Sequence, residues 1–313
     1  MTKISVILPI YNESKNISIL FEKLSAVMKE MDYEIIAVND GSRDDSWIQL
    51  RKMAEINPRV RIINFVRNFG QTAALNAGIK NVSGDIILLI DSDLENDPAD
   101  IPMLLAKINE GYDVVSGWRK NRWKGQWLTR KLPSMMANRL ISKISGVHLH
   151  DYGCTLKAYR REVIKDVLLY GEMHRFIPVY ANWQGGRVAE IPVAYHPRIH
   201  GKSNYGFGRT YKVLLDLILI RFLQKYQNKP IHFFGGAGFL SFIVSFLAFL
   251  LALYFKLTHQ KDFVQTPLPL FSAIFFVVGV LMIFLGINAE VQMRTYYESQ
   301  NREVYQIKEK VNF

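Results

Sequence analysis

Short apolar runs alternate with amphipathic stretches through the first third of the chain. Ile4–Leu8, Glu34–Val38, Val60–Phe65, Ile86–Ile90 and Asp113–Ser116 are too short and too β-branched for helices, so they read as buried strands. Between the first two, Ile17, Leu20, Leu24, Val27 and Met31 recur every three or four residues and mark one face of a helix. This rhythm predicts an α/β domain on a mainly parallel sheet with helices on both faces.

The pattern changes at the other end. Residues Pro230 to Phe255 carry no Asp, Glu, Lys or Arg, and neither do Phe263 to Ala289. Each stretch exceeds the roughly 20 residues that cross about 30 Å of hydrocarbon, so both read as transmembrane helices, at about 231–255 and 267–288. Just before them, Tyr205 to Lys229 alternates Leu, Ile and Phe with Arg and Lys at near-helical spacing, as an interfacial amphipathic helix does. The expected organisation is a catalytic domain over 1–204, juxtamembrane helices over 205–229, and a transmembrane hairpin with a cytoplasmic tail over 230–313.

Composition agrees with a membrane-attached protein. Hydrophobic residues make up 49% of the 313 positions and the net charge is +11. The basic residues crowd near the apolar spans and around Arg119 to Arg139, so membrane phosphates are the expected partner and nucleic acid is not. Arg209, Lys212, Arg221, Lys225 and Lys229 flank the first span, against Lys256 and Lys261 in the short link between spans. With a strand following at once on Met1-Thr2-Lys3, this places the domain and both ends in the cytoplasm, of a bacterial inner membrane by the resemblance below. A lone Cys154 excludes an internal disulfide and fits a reducing compartment. Two spans are few for a lipid-handling protein, so self-association into a homo-oligomer is expected. Trp118 to Trp127, aromatic and basic, reads as a loop at the lipid interface.

The candidate chemistry lies after the fourth run, where Asp91-Ser92-Asp93-Leu94-Glu95 brings three carboxylates to the carboxyl edge of the sheet. Ligands bind at that edge in open α/β sheets. Three such groups repel one another unless a cation sits among them, and hard oxygen donors suit Mg²⁺ or Mn²⁺, which points to a metal-bridged diphosphate. Pro9-Ile10-Tyr11-Asn12-Glu13 and Asn39-Asp40-Gly41-Ser42 end the first two strands at the same edge. Tyr11 offers a ring face to a nucleobase, and Asp40 an acceptor for its N–H or for ribose hydroxyls. Arg67-Asn68-Phe69-Gly70 adds a cation and a turn. Each segment alone could be an ordinary turn or cap, but together they converge on one cleft.

These segments, Val6 to Glu13, Val38 to Ser42, Arg67 to Gly70 with Ala74 and Gly78, and Asp91-Ser92-Asp93, resemble the family 2 inverting glycosyltransferases. Asp151 to Cys154, Arg198 to Ser203 and the two spans resemble its polyprenyl-phosphate branch, which includes dolichyl-phosphate mannose synthases and bactoprenol glucosyltransferases. The resemblance implies a Rossmann-like, glycosyltransferase A-type domain and transfer of a hexose to a polyprenyl phosphate. It assigns Pro9, Tyr11, Glu13, Asp40 and Asn68 to the nucleoside side, and Asp91, Asp93 and Glu95 to the metal and diphosphate. Arg119, Arg130, Arg198 and Lys202 would hold the donor and acceptor phosphates, with Asp93, Arg119, Arg198 and Lys202 in catalytic roles. That branch often has Gln where this chain has Glu95. UDP-glucose is the expected donor, with GDP-mannose as the alternative.

Three rival functions fit the sequence less well. A processive polysaccharide synthase would carry a Gln-x-x-Arg-Trp motif and more spans. A P-loop reading of His200-Gly201-Lys202-Ser203 fails because His196 stands where its first Gly belongs. A non-enzymatic nucleotide-binding membrane subunit would not need an intact acidic cluster.

Overall fold

The computed structural model describes residues 2–122, 131–167, 169, 173–197, 230–298 and 305–313. The chain divides into two compact units, residues 1–218 with 303–313, and residues 219–302.

The first unit is built on an eight-stranded sheet: β1 Ile4–Ile10, β2 Tyr33–Asn39, β3 Val60–Phe65, β4 Ile86–Leu89, β5 Val114–Trp118, β6 Lys157–Arg160, β7 Val188–Pro192 and β8 Ile307–Val311, in the order β7-β5-β6-β4-β1-β2-β3-β8. β1 pairs in parallel with β2 and β4, β2 with β3, and β5 with β7, whereas β6 runs antiparallel between β4 and β5. β1 and β2 are buried along their whole length, which explains why their sequences are apolar runs and not alternations.

Helices α1 Ser14–Val27, α2 Ser46–Ile56 and α4 Ile101–Asn109 share one core with alternate residues of β1, including Val6, Leu8 and Ile10. The opposite face of β1 receives α3, Gln71–Lys80, whose small buried residues allow very close approach: a Cβ on Gly78 would stand 2.4 Å from Ile7 Cγ2. Helix α1 stops one turn before Met31, and the chain then enters the sheet, with the Asp32 carbonyl accepting the Ile4 amide at 2.9 Å. Trp118 closes β5 instead of opening a loop. Helices α5 Leu132–Ser145 and α6 Ile177–Trp183 complete the described part of this unit.

The sequence pattern predicts a cytoplasmic tail for the last residues. Instead they form β8, antiparallel to β3 with Ile62 opposite Val311. Asn312 Nδ2 donates to the carbonyls of Ala54 and Val60 at 3.0 and 2.8 Å, and Tyr305 stacks on Phe65 with centroids 5.0 Å apart. A five-residue strand carrying Lys308 and Lys310 is the short, charged kind that ends a sheet.

The second unit is a helical hairpin, α7 Pro230–Leu257 and α8 Leu268–Glu298. Its apolar segments Phe233–Leu257 and Leu268–Gln292 have mean hydropathies of 2.3 and 2.8 and are long enough to cross a membrane. Large apolar side chains such as Phe239, Leu240, Phe246 and Phe284 face outward. Small residues bring the helices together: a Cβ on Gly238 would lie 2.9 Å from the Gly279 carbonyl. The Ser245 and Ser272 hydroxyls donate to each other's backbone carbonyls at 2.8 and 2.9 Å. That is how helices associate where burial from water supplies no drive.

Candidate active site

The carboxyl ends of β1, β2, β3 and β4 bring four loops together. Asn12, at φ 57, bridges the first two: its amide donates to Ser42 Oγ at 3.0 Å, and its Oδ1 accepts from the Arg43 amide at 2.8 Å. Tyr11, just past β1, is partly buried. Pro9 lies inside β1, and its carbonyl accepts the Ser92 hydroxyl at 3.0 Å, which ties the acidic segment to the central strand. Glu13 stands at the start of α1, its carboxylate accepting from the side-chain Asn16 Nδ2 at 2.6 Å.

Asp40 orders the turn after β3. Its two oxygens accept the Phe69 and Gly70 amides at 2.6 and 2.9 Å, while Asn68 Nδ2 donates to the Asp40 carbonyl at 3.3 Å. Burial pushes the Asp40 carboxyl up to about 6, with the two amides and Arg67 pulling the other way. Gly41, at φ +62, is required here because a Cβ would meet the Arg67 backbone carbon at 2.3 Å.

The acidic segment folds tightly. Buried Leu94 adopts φ 61, an unusual conformation for a bulky side chain and of the kind that concentrates at functional sites. The Glu95 amide donates to Asp93 Oδ1 at 3.0 Å. Asp91 is held from two sides by neutral donors, Gln71 Nε2 on Oδ1 at 2.7 Å and Thr155 Oγ1 on Oδ2 at 2.6 Å. Burial, and then the nearby Asp93 carboxylate, push its pKa up to about 6.

Glu95 and Arg119 are engaged with each other. Arg119 is almost fully buried and grips Asp151 with Nε and Nη2 at 2.8 and 3.2 Å, and Glu95 with Nη1 at 3.3 Å; Arg122 adds a 3.6 Å contact to Glu95. Burial opposes this charge, but Asp151 and Glu95 hold the guanidinium protonated beyond its ordinary range, and Asp151 is correspondingly lowered. Arg119, expected to hold phosphates, thus has three of its five N–H groups on carboxylates. Among the described residues no three Asp, Glu, His or Cys side chains converge as a ready metal cage. Asp91 and Asp93 nevertheless fit a hard divalent cation, because such ions on phosphates use only one or two protein carboxylates. The Asp91 partners orient it without neutralising it. Arg130, Arg198 and Lys202 lie outside the described residues.

Several contributors carried no individual signal in the sequence. Gln71 and Thr155 aim Asp91. Glu190 of β7 accepts the amides of His150 and Asp151 at 2.9 and 3.0 Å and so fixes the Arg119 partner. Lys157 sits buried beneath the same loop. Beside this cluster, Arg119, Asp151, Trp118 and α5 line a cavity of about 750 Å³ that combines Lys120, Lys131, Arg139 and His148 with Leu132 and Met135.

A mainly parallel sheet whose carboxyl edge presents paired carboxylates fits a Rossmann-like, glycosyltransferase A-type domain, here with two apolar helices that are candidate transmembrane spans. Residues 5–168 match glycosyl transferase family 2, and the chain is a member of that family and a glycosyltransferase. It is 41% identical to the dodecaprenyl-phosphate galacturonate synthase of Rhizobium johnstonii, over 98% of this chain and 92% of that one. It is 34% identical to the undecaprenyl-phosphate 4-deoxy-4-formamido-L-arabinose transferase of Shewanella sediminis, again over 98% and 92%. Among solved structures, glucosyl-3-phosphoglycerate synthase from Mycobacterium tuberculosis, in complex with Mn²⁺ and UDP-glucose, shares the fold with a TM-score of 0.55 and 19% identity, over 71% of this chain and 79% of that one.

Proposed function

We propose that the protein transfers a sugar from a nucleotide sugar to a polyprenyl phosphate at the cytoplasmic face of a membrane, with inversion at the anomeric carbon. The observation that carries this reading is the Asp91–Asp93 pair beside a cavity lined by both cations and apolar side chains, which suits a lipid phosphate. Tyr11 and Asp40 stand on the nucleoside side. A divalent cation held by Asp91 and Asp93 would offset charge on the departing diphosphate.

The acceptor needs little activation. A phosphate monoester has a second pKa of about 6, so at neutral pH its oxygen is already a nucleophile and no strong base is required. The protein supplies electrostatics: Lys120, Lys131 and Arg139 offset repulsion between acceptor and donor phosphates and bring them within attack distance. Arg119 acts through Asp151 and Glu95, fixing the floor between acidic segment and cavity. Attack by the acceptor oxygen at C1 breaks the bond to the diphosphate, and direct displacement inverts the centre.

Strand β8 supports the topology. Because residues before and after the hairpin belong to one sheet, a hairpin that crosses the membrane must begin and end on the same side. The basic flanks make that side the cytoplasm.

For the sugar, the resemblance in the sequence implies UDP-glucose, with GDP-mannose second. The 41% identical relative is named for galacturonate, which favours that sugar over glucose. The test is purified protein with undecaprenyl phosphate, Mn²⁺ and a panel of UDP-galacturonate, UDP-glucose, UDP-linked formamido-arabinose and GDP-mannose, reading lipid product by mass spectrometry. Product from one donor, absent in Asp93→Asn, supports the reading. No lipid-linked sugar from any donor overturns it.

A further inference from the structure

A lysine inside a sheet needs a reason. Lys157 opens β6 opposite Leu89 of β4 and Ser116 of β5, and it is only 3% exposed. Burying the chain of a lysine costs rotamer freedom, and burying its ammonium costs far more unless acceptors surround it. Its Nζ donates to the carbonyl oxygens of Tyr152, at 3.2 Å, and Cys154. Burial lowers its pKa, while the carboxylates of Asp151 and Asp91 pull in the opposite direction. The lysine therefore gathers two backbone carbonyls of one loop, and the next residue in that loop is Thr155, whose hydroxyl reaches Asp91 Oδ2 at 2.6 Å.

The loop is held at its other end as well. Asp151 is locked to Arg119, its Oδ1 also accepts the Gly153 amide at 3.1 Å, and Glu190 takes the Asp151 amide. Thr155 thus lies between the held segment Asp151 to Cys154 and the start of β6. It opposes Gln71 across the Asp91 carboxylate, and together the two donors define that carboxylate's plane.

We propose that Lys157 is a positioning residue for the metal site: by fixing the backbone from Tyr152 to Cys154, it sets the Thr155 hydroxyl, which aims the Asp91 carboxylate at the divalent cation. This rests on the reading of Asp91 as a metal-holding group. Outer partners that orient a ligand typically change metal affinity by about 10- to 100-fold when removed. Electrostatics alone predicts the reverse, because removing a buried cation near Asp91 would tighten binding of a second cation.

The experiment is a Mn²⁺ titration of the full chain in detergent with UDP present, followed by electron paramagnetic resonance of free Mn²⁺, with thermal midpoints recorded in parallel. Thr155→Val should raise the Mn²⁺ Kd about tenfold or more with little change in midpoint, and Thr155→Ser should restore it. Lys157→Met should weaken Mn²⁺ by a similar factor. The double variant should bind no more weakly than Lys157→Met alone, since both changes remove the same hydrogen bond from Asp91. Should Lys157→Met fail to fold, Lys157→Gln keeps an N–H donor on a shorter stem and should show a smaller loss in the same direction. Unchanged or tighter Mn²⁺ binding in the lysine variants would make Lys157 purely structural or a competing charge, and multiplying losses in the double variant would show independent action; either overturns the proposal. Asp91→Asn separates the underlying reading: if it leaves the Mn²⁺ Kd unchanged, the metal assignment itself is wrong.

Discussion

Asp151→Asn is the substitution that best separates two roles for Arg119. In the fold the guanidinium is almost fully buried, with Asp151 at 2.8 and 3.2 Å and Glu95 at 3.3 Å. Removing one partner of a buried ion pair costs about 3–5 kcal/mol, because the remaining charge stays desolvated. Two features keep the cost at the lower end: Glu95 remains, and the asparagine oxygen still accepts one N–H. A loss of about 3 kcal/mol spread over a unit of this size lowers the thermal midpoint by about 6–12 °C. The assay is thermal unfolding of the detergent-solubilised protein, with donor and acceptor kinetics measured well below the midpoint. If Arg119 chiefly held substrate phosphate, freeing it from Asp151 would leave the midpoint in place and alter only the KM for a substrate. That outcome would refute the argument that Arg119 stabilises the fold.

Other consequences are as direct. Gly41→Ala places a Cβ 2.3 Å from the Arg67 backbone at a left-handed φ, so we expect more than about 2 kcal/mol of destabilisation and weakened UDP binding by calorimetry; a normal midpoint would contradict the turn geometry. Glu34, although burial works against it, is lowered from 4.5 to about 2 by hydrogen bonds from Ser5, Ser83 and Arg61. Its contribution is therefore full above about pH 4.5 and lost as pH falls towards 2, and Glu34→Gln should be most destabilised relative to wild type near neutrality, with the gap closing on acidification in urea melts. Gly279→Leu should disrupt the hairpin, since its Cβ would lie 2.6 Å from the Phe242 ring; Ser245→Ala should cost only about 0.6 kcal/mol, a ranking that thermal scans of the two variants check.

Periodicity and local chemistry made part of this molecule readable in one dimension. β1 to β5, α1 and the two apolar helices follow from runs and spacings, because burial on both faces or in lipid imposes a pattern on consecutive residues. The convergence of Tyr11, Asp40, Asn68, Asp91 and Asp93 on one edge was legible for a similar reason: in a parallel sheet every strand end after an apolar run faces the same way. Tertiary structure decided what those side chains do there. Whether Arg119 meets phosphate or carboxylate depends on Asp151, which stands 32 residues away, and on Glu190, which holds that loop. Lys157 looks like any surface lysine until the β4 and β5 neighbours enclose it. Strand β8 is five residues of charged alternation whose partner lies more than 200 residues earlier, so no local pattern could announce it. Local sequence sets which face an element buries; only closure of the chain sets which distant charge it meets, because an ion pair is a property of two positions and the space between them.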